Sequence, residues 1–268
     1  MKKLIAFVSI TAVAAAGIFV FAGCPAIAVY GSGAMIRHEI EIKDSFTGIE
    51  AGGIFIVSFR FGHEVSVVMY AQQNVFDVME TTVHNQNLRV SSARRNLRLS
   101  VTSGNTPRLY VVAPSLTRLN LSGAAVAADW DTITINAPYF QLNLSGSARA
   151  NIDFNTGRLD IRASGSSSLT TLAEGLGFID ASLSGSSGLM LSGQAERANL
   201  RISGSSNVAA FGLETLQTAV NASGSSRADI NASDTIVGSA SGSSRIRHRG
   251  GASVSVSTSG SASVQRAD

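Results

Sequence analysis

Asp160 and Asp180 are the carboxylates whose spacing in this 268-residue chain could support catalysis. Each lies five residues before the glycine of a Ser-Gly pair, so in a regular repeat they would stack on adjacent rungs and point outward. Paired carboxylates can act as general acid and base on a polysaccharide. However, the same position in other units holds Arg118, Gln141 and Asn199, and the pattern fixes no basic residue beside the pair. We therefore expect a solvated polar face.

Arginines form groups that could bind an anionic ligand. Arg245, Arg247 and Arg249 alternate near the C-terminus, and Arg227 occupies the same repeat position as Arg245. An anionic envelope glycan or lipid could bind there, so Arg245, Arg247 and Arg249 form a candidate anionic-ligand surface. The alternative is a charged face that keeps open strand edges from pairing. The same two interpretations apply to Arg162 with Arg201, and to the cluster of Arg89, Arg94, Arg95 and Arg98.

Other kinds of chemistry have little support in the sequence. The four histidines are scattered and the one cysteine is Cys24, so no metal site is expected. There is no Gly-x-Ser-x-Gly elbow in a strand-to-helix setting and no phosphate loop ending in Lys-Ser/Thr. The sequence therefore predicts no catalytic residue, no cofactor and no metal.

A repeat must position these side chains. Eight Ser-Gly pairs divide the C-terminal half, with steps of 23, 19, 20, 19, 20, 18 and 18 residues between their glycines. This regular period is typical of a solenoid. Glycine supplies a backbone angle that other residues disfavour, and the serine before it could join a ladder of hydroxyl groups between rungs. The predicted structural corners are Gly123, Gly146, Gly165, Gly185, Gly204, Gly224, Gly242 and Gly260.

Residues around each corner alternate as in a strand with one buried face. Positions two and four before the glycine are mostly apolar, position three before it is polar, and an apolar residue returns four after it. No helical period recurs, and Gly and Ser in every unit would interrupt a helix. The chain is therefore predicted to be all-β, a single-stranded parallel β-helix (β-solenoid) with a narrow interior. We expect it to be right-handed because parallel crossovers almost always are.

Residues 36–115 are predicted to form an irregular N-terminal β block that includes a first, degenerate coil. Residues 73–80 favour a short helical turn, and the regular β-helix occupies residues 116–268. The predicted strands of the block cover residues 36–43, 54–61, 65–70, 88–90, 97–99 and 109–112.

Residues 1–24 are a targeting segment with two lysines, an apolar run and a terminal Cys24. The segment resembles a bacterial lipoprotein signal, in which Cys24 would carry the lipid. Cleavage after residue 28 and an uncleaved membrane anchor are the alternatives. All three place the rest of the chain outside the cytoplasm, and residues 25–35 are predicted to be a flexible tether. Without residues 1–23 the chain has 19 basic and 18 acidic residues, so its charge gives no argument for a nucleic-acid partner.

A family resemblance follows from the order of these features. A Gly-Ser-Gly after the signal precedes Phe46-Thr47-Gly48-Ile49, a Gly-Gly corner, Leu88-Arg89-Val90 and then the Ser-Gly-Ser solenoid. This order resembles the bacterial head-GIN-domain family, which is associated with autotransporter adhesins, over residues 36–268. The resemblance implies a right-handed β-helix exported to the envelope and brings no catalytic residues with it. The adhesin label is itself an inference within that family.

The predicted function is that of an exported cell-envelope protein without enzymatic activity, with a role in adhesion, surface binding or scaffolding. A lipid anchor or signal-anchor would hold it at a membrane such as the outer membrane, and a periplasmic or secreted location is the alternative. Its expected partners are envelope or host surface glycans or proteins. The alternative function is a carbohydrate-active β-helix enzyme acting on such a polysaccharide, which would need an acidic cleft.

The last predicted coil, residues 252–268, has no capping helix after it. Solenoids usually need a cap, because a terminal coil exposes unpaired backbone and core. We expect a monomer whose terminal coil frays from Ser259 onward, with end-to-end pairing of two rods as the alternative.

Overall fold

The computed structural model describes residues 27–94, 97–102, 104–128 and 133–267. The predicted signal with Cys24, and Arg95 of the N-terminal basic cluster, lie outside these residues. The described chain is almost entirely β-structure. Its regular part contains strands β10 Arg118–Gly123, β11 Val126–Ala127, β12 Ile133–Leu144, β13 Arg149–Ala163, β14 Ser168–Leu183, β15 Gly188–Ile202, β16 Asn207–Ala222, β17 Arg227–Ala240, β18 Arg245–Arg249, β19 Ser253–Thr258 and β20 Ser263–Arg266.

Successive coils of the regular part stack in parallel and in register. Leu142 pairs with Ile161, Ile161 with Ala181, and Ala181 with Leu200, so each apolar position forms a column along the rod. These columns are buried on the inside of the coils and merge into one continuous core. The predicted all-β parallel β-solenoid is confirmed. Its handedness stays a prediction.

The corner glycines have the backbone geometry that the repeat predicted. All eight adopt positive φ values between 69° and 74°. At Gly185, φ is 74° and an added Cβ would lie 2.7 Å from the carbonyl oxygen of Gly165 in the preceding coil. That carbonyl accepts a 2.7 Å hydrogen bond from the backbone N–H of Ser186. The corner therefore needs both a left-handed backbone and close stacking, which only glycine provides without strain.

The buried hydroxyl ladder lies at a different position from the one expected. The serines before the corner glycines are partly or fully exposed, whereas those two residues after the glycine are about 1% exposed. Within this column the hydroxyls of Ser187 and Ser206 are 3.2 Å apart, and Ser187 also donates to the carbonyl of Ser184 at 3.0 Å. The column comprises Ser167, Ser187, Ser206, Ser226 and Ser244. The ladder forms there because the chain turns inward directly after the corner.

The N-terminal block contains the first coil and also the strands that cover it. Its elements are β1 Ile27–Tyr30, β2 Met35–Glu39, β3 Gly48–Gly53, β4 Ile56–Phe61, β5 Ser66–Gln72, α1 Gln73–Phe76, β6 Met79–His84, β7 Asn87–Ser92, β8 Leu97–Ser100 and β9 Arg108–Ala113. Strands β3 and β4 pair in parallel with β10 and β11 of the next coil. On their other side, β7 covers β3 and β9 covers β4. Antiparallel strands β6, β5 and β2 then close this end.

Part of the predicted flexible tether is instead a strand. Strand β1 pairs in parallel with β8, and the backbone N–H of Gly31 donates to Ser100 at 2.8 Å. The side chain of Gln72 donates to the carbonyl of Gly33 at 2.7 Å. Residues 27–33 therefore lie against the N-terminal block, since β8 offers a free edge that the sequence did not reveal.

Candidate functional site

Each regular coil presents two outward faces that meet at its glycine corner. We call the outward positions one, three, five and seven residues before the glycine the groove face. We call the outward positions three, five and seven residues after it the basic face. The two predicted aspartates lie on the groove face, and the predicted anionic-ligand surface lies on the basic face.

The two aspartates of the groove face stack on adjacent rungs, as predicted. Arg158 donates from Nε to Oδ1 of Asp160 at 2.8 Å, and its Nη2 lies 3.8 Å from Oδ2 of Asp180. Arg201 donates to Oδ1 of Asp180 at 2.7 Å. The repeat pattern fixed no basic residue beside the pair, and the structure places Arg158 and Arg201 there. Arg158 comes from the same strand two positions earlier, and Arg201 comes from the following coil.

These contacts make the pair part of an ion-pair network. The hydroxyl group of Tyr139 donates to Oδ2 of Asp160 at 3.0 Å, and partial burial together with this bond raises the pKa of Tyr139. Arg158 also lies over the ring of Phe178, with its Cζ atom 4.9 Å from the ring centroid. Both carboxylates are thus occupied by donors from the protein, an arrangement that serves structure more readily than proton transfer to a substrate.

A groove of about 1000 Å³ runs along the groove face from the first coil towards the C-terminal end. Its walls carry the polar column three positions before the corner and the serines one position before it. Asn143 donates to Oδ1 of Asn120 at 2.6 Å, and Ser239 donates to Asn221 at 2.9 Å. The column continues through Arg162 and Arg201. The floor of the groove is partly apolar, because buried leucine and alanine residues between the polar columns also line it.

The basic face contains the predicted anionic-ligand surface. Arg245, Arg247 and Arg249 project from β18 on one side, and Arg227 pairs with Arg245 in the neighbouring coil. Arg247 is bound to Asp229 by two hydrogen bonds, one from Nε to Oδ1 of 2.7 Å and one from Nη2 to Oδ2. Asp229 is almost buried, and the hydrogen bonds and charge of this contact raise the pKa of Arg247.

An aromatic ring of the basic face contacts two of these arginines. The Cζ atoms of Arg249 and Arg247 lie 4.3 and 5.2 Å from the centroid of Phe211. Guanidinium groups stack favourably on aromatic faces. Phe211 serves here as a platform for two arginines.

The family model described as "Putative auto-transporter adhesin, head GIN domain" matches residues 45–252 of this sequence. The chain belongs to the head-GIN-domain family. The description indicates an adhesin-like surface or exported protein and names no enzyme. No curated protein matches the chain.

Solved structures share this head-GIN fold. A putative adhesin from Parabacteroides merdae has a TM-score of 0.80 at 18% identity, covering 91% of this chain and 100% of that one. A putative lipid binding protein from Parabacteroides distasonis has a TM-score of 0.80 at 20% identity, covering 90% and 100%. A putative adhesin from the same species has a TM-score of 0.77 at 19% identity, with the same coverage. At these identities the likeness concerns the fold alone.

The remaining predicted sites of the head-GIN chain are dispersed. Arg89 lies 3.5 Å from Glu50 in an exposed ion pair, while Arg98 is exposed on β8. Within the described residues, no three His, Cys, Asp or Glu side chains are grouped as a metal site would require. In that same part of the chain, no helix has the length and apolar character needed to cross a membrane.

Proposed function

We propose that this head-GIN chain is an exported, non-enzymatic surface-binding protein that lipid on Cys24 holds at the bacterial envelope. In this proposal an extended glycan lies in the groove. The observation that carries it is the groove itself, which crosses successive coils and presents polar side chains of the same columns at each rung.

The repeat suits a polymer better than a compact ligand. Stacked parallel strands are about 4.8 Å apart, so the columns offer hydrogen-bonding groups at short regular intervals along the rod. Asn120, Asn143, Arg162, Arg201 and Asn221 supply amide and guanidinium groups from successive or alternate coils. These groups donate to hydroxyl oxygens, and the amides also accept from them. A linear sugar chain can therefore make equivalent contacts at several rungs.

The position of β1 supports an anchored rod. Strand β1 begins at Ile27, three residues after Cys24, and pairs with β8 in the N-terminal block. A lipid on Cys24 would hold the block close to the membrane. The groove would then extend away from the membrane surface, where a polymer can reach it.

Groove binding is testable by measuring retention of the full-length chain, extracted in mild detergent, on a panel of immobilised glycans. We expect at least one linear glycan to bind, and Asn143→Leu with Asn221→Leu to weaken that binding by removing donors and acceptors. Asn151→Leu is the matched control, because Asn151 is exposed on the other face of the coil. Equal retention of the groove variant and the control would disprove groove binding.

Lipidation is tested separately in cells fed a fatty-acid analogue. The parent chain should become labelled and appear in the membrane fraction, whereas Cys24→Ala should do neither. Equal labelling of both chains would show that Cys24 carries no lipid.

A non-enzymatic role predicts that no polysaccharide is cleaved. The ion-pair network around Asp160 and Asp180 gives no pair of free carboxylates. Turnover of any envelope or host polysaccharide that disappears in the Asp160→Asn, Asp180→Asn double variant would establish the alternative function, a carbohydrate-active enzyme.

A further inference from the structure

Four arginines of the basic face lie on two adjacent coils. Arg245, Arg247 and Arg249 occupy alternate positions of β18, and Arg227 occupies the position beside Arg245 on β17. With Asp229 as the acidic residue among them, this array has a net charge of +3. On the groove face, by contrast, Arg158 and Arg201 are bound to Asp160 and Asp180.

Arg227 and Arg245 are the least compensated members of the array. They pair directly in the ladder, both are exposed, and no ion pair to either is found among the described residues. Like charges directly opposite each other on neighbouring strands are destabilising. An anion placed between the two guanidinium groups would remove that repulsion, which makes the pair a candidate anion contact.

The other two arginines are held in place by the protein. The two hydrogen bonds that Arg247 donates to Asp229 fix its side chain, and the ring of Phe211 lies against both Arg247 and Arg249. An arginine that is already ordered loses less side-chain entropy when it binds a ligand. The array thus combines two exposed, uncompensated guanidinium groups with two that are positioned in advance.

We propose that the basic face binds an acidic polysaccharide, whose carboxylate or sulfate groups contact the arginines. Neighbouring polar side chains Asn207, Ser263 and Gln265 lie at the same repeat positions in the adjoining coils and can bond to sugar hydroxyls. The ring of Phe211 is covered by guanidinium groups, so it is not available to stack on a nucleic-acid base.

The position of the array along the rod favours a polymer over a bilayer as its ligand. Strands β17 and β18 belong to the C-terminal coils, whereas Cys24 precedes the N-terminal block. If Cys24 carries lipid, the array lies at the end of the rod that is distant from the protein's own membrane. This step rests on the lipid anchor of the proposed function, while the charge argument does not.

Binding can be measured with the full-length chain in mild detergent by affinity electrophoresis through gels that contain a defined polymer. Dextran sulfate and polygalacturonate should retard the chain, and neutral dextran should not. Added salt should weaken the retardation, because it screens exposed charges. Loss of two charge-assisted contacts in Arg227→Ser with Arg245→Ser should weaken polymer affinity about tenfold or more.

The control is Arg149→Ser, which removes an exposed arginine from the same column several coils away. It should leave binding nearly unchanged. Serine fits this column, since Ser168 and Ser263 already occupy it. Arg249→Gln provides a second, single-site variant of the array and should also weaken binding. The test therefore does not depend on the double variant alone.

Four results would overturn the inference. The first is a failure of both acidic polymers to retard the parent chain. The second is equal weakening by Arg149→Ser, which would indicate nonspecific attraction. The third is tighter binding to phosphatidylglycerol vesicles than to either polymer, which would indicate a lipid ligand. Binding that is lost in the groove variant of Asn143 and Asn221 but kept in the arginine variants would place the polymer in the groove, supporting the proposed function and rejecting this site.

Discussion

The two ends of the solenoid differ in whether other strands cover the outermost coil. At the N-terminal end, β7 and β9 cover the first coil, and antiparallel strands close over them. At the C-terminal end, β19 and β20 pair only with the preceding coil among the described residues. Val254 is exposed there, and Val256 and Val264 are partly buried. Within the described residues, one end is capped and the other carries an ordinary coil.

We infer from this difference that the capped end stabilises the stack of coils. Each coil contacts mainly its neighbours, so the capped end supplies a fixed template on which later coils add. The last described coil is then stabilised by contacts with one neighbouring coil only. Equivalent substitutions should therefore have unequal effects at the two ends.

The largest expected effect is a difference in the free-energy cost of substituting the same apolar column at the two ends. Leu109 of β9 and Val264 of β20 belong to the column four residues after the corner, and Leu109 is completely buried. Leu109→Asp should lower the free energy of unfolding by about 4 kcal/mol or more, because it buries an unpaired charge. Val264→Asp should cost about 1 kcal/mol or less, since its side chain can reach water. Similar losses in chemical denaturation would show that the ends are energetically alike.

The next effect concerns the corners between the two ends. Gly185→Val should cost on the order of 1–3 kcal/mol for the backbone angle alone, and more for its clash with Gly165. Gly188→Val in the same coil is the control. The backbone of Gly188 does not have positive φ, and its added Cβ would approach only Ser168, at 3.9 Å. Thermal unfolding that fails to separate these two variants would contradict the corner's role.

Removing the open coil should have a smaller effect. Deletion of residues 252–268 removes β19 and β20 but leaves the capped coils with all their other neighbours. We expect residues 25–251 to fold with slightly lower thermal stability and, like residues 25–268, to sediment as a monomer. A dimer of the longer chain that becomes monomeric on deletion would instead show that the open edges pair end to end.

The coils could be predicted because their sequence repeats. The strand pairing of the cap could not be predicted, because the cap has no repeat. Gly185 and the columns around it could be predicted because each position recurs with the same side-chain character. The cap could be divided into strands, but their partners could not be predicted. Strands β4 and β5 follow each other, yet β9 lies between them in the sheet, since pairing at the cap depends on distant segments.

The candidate site was predicted where it followed the repeat and was missed where it did not. The stacking of Asp160 on Asp180 follows directly from their shared offset. Arg158 was missed because its position, seven residues before the corner, also holds Tyr139 and Phe178 and so shows no common chemistry. The contact between Phe211 and Arg247 spans two coils and depends on side-chain reach, which a column of sequence letters does not contain.

The smallest effect concerns a histidine near the open end. His248 of β18 lies between Ile230 of the preceding coil and Arg266 of the last one. Partial burial and, to a lesser degree, the charge of Arg266 lower the pKa of His248. The unfolded chain therefore binds this proton more tightly, and the folded state loses stability as pH falls below the ordinary histidine value of about 6.5. The loss ends once the pH is below the lowered pKa.

This contribution should disappear in His248→Gln, which cannot titrate. Thermal unfolding between about pH 7.5 and about pH 5.5 should shift less in this variant than in the parent chain. His84→Asn, on the exposed side of β6 in the cap, controls for loss of a histidine as such. A larger shift in His248→Gln than in the parent would reverse the sign and show that the open coil favours the charged imidazole.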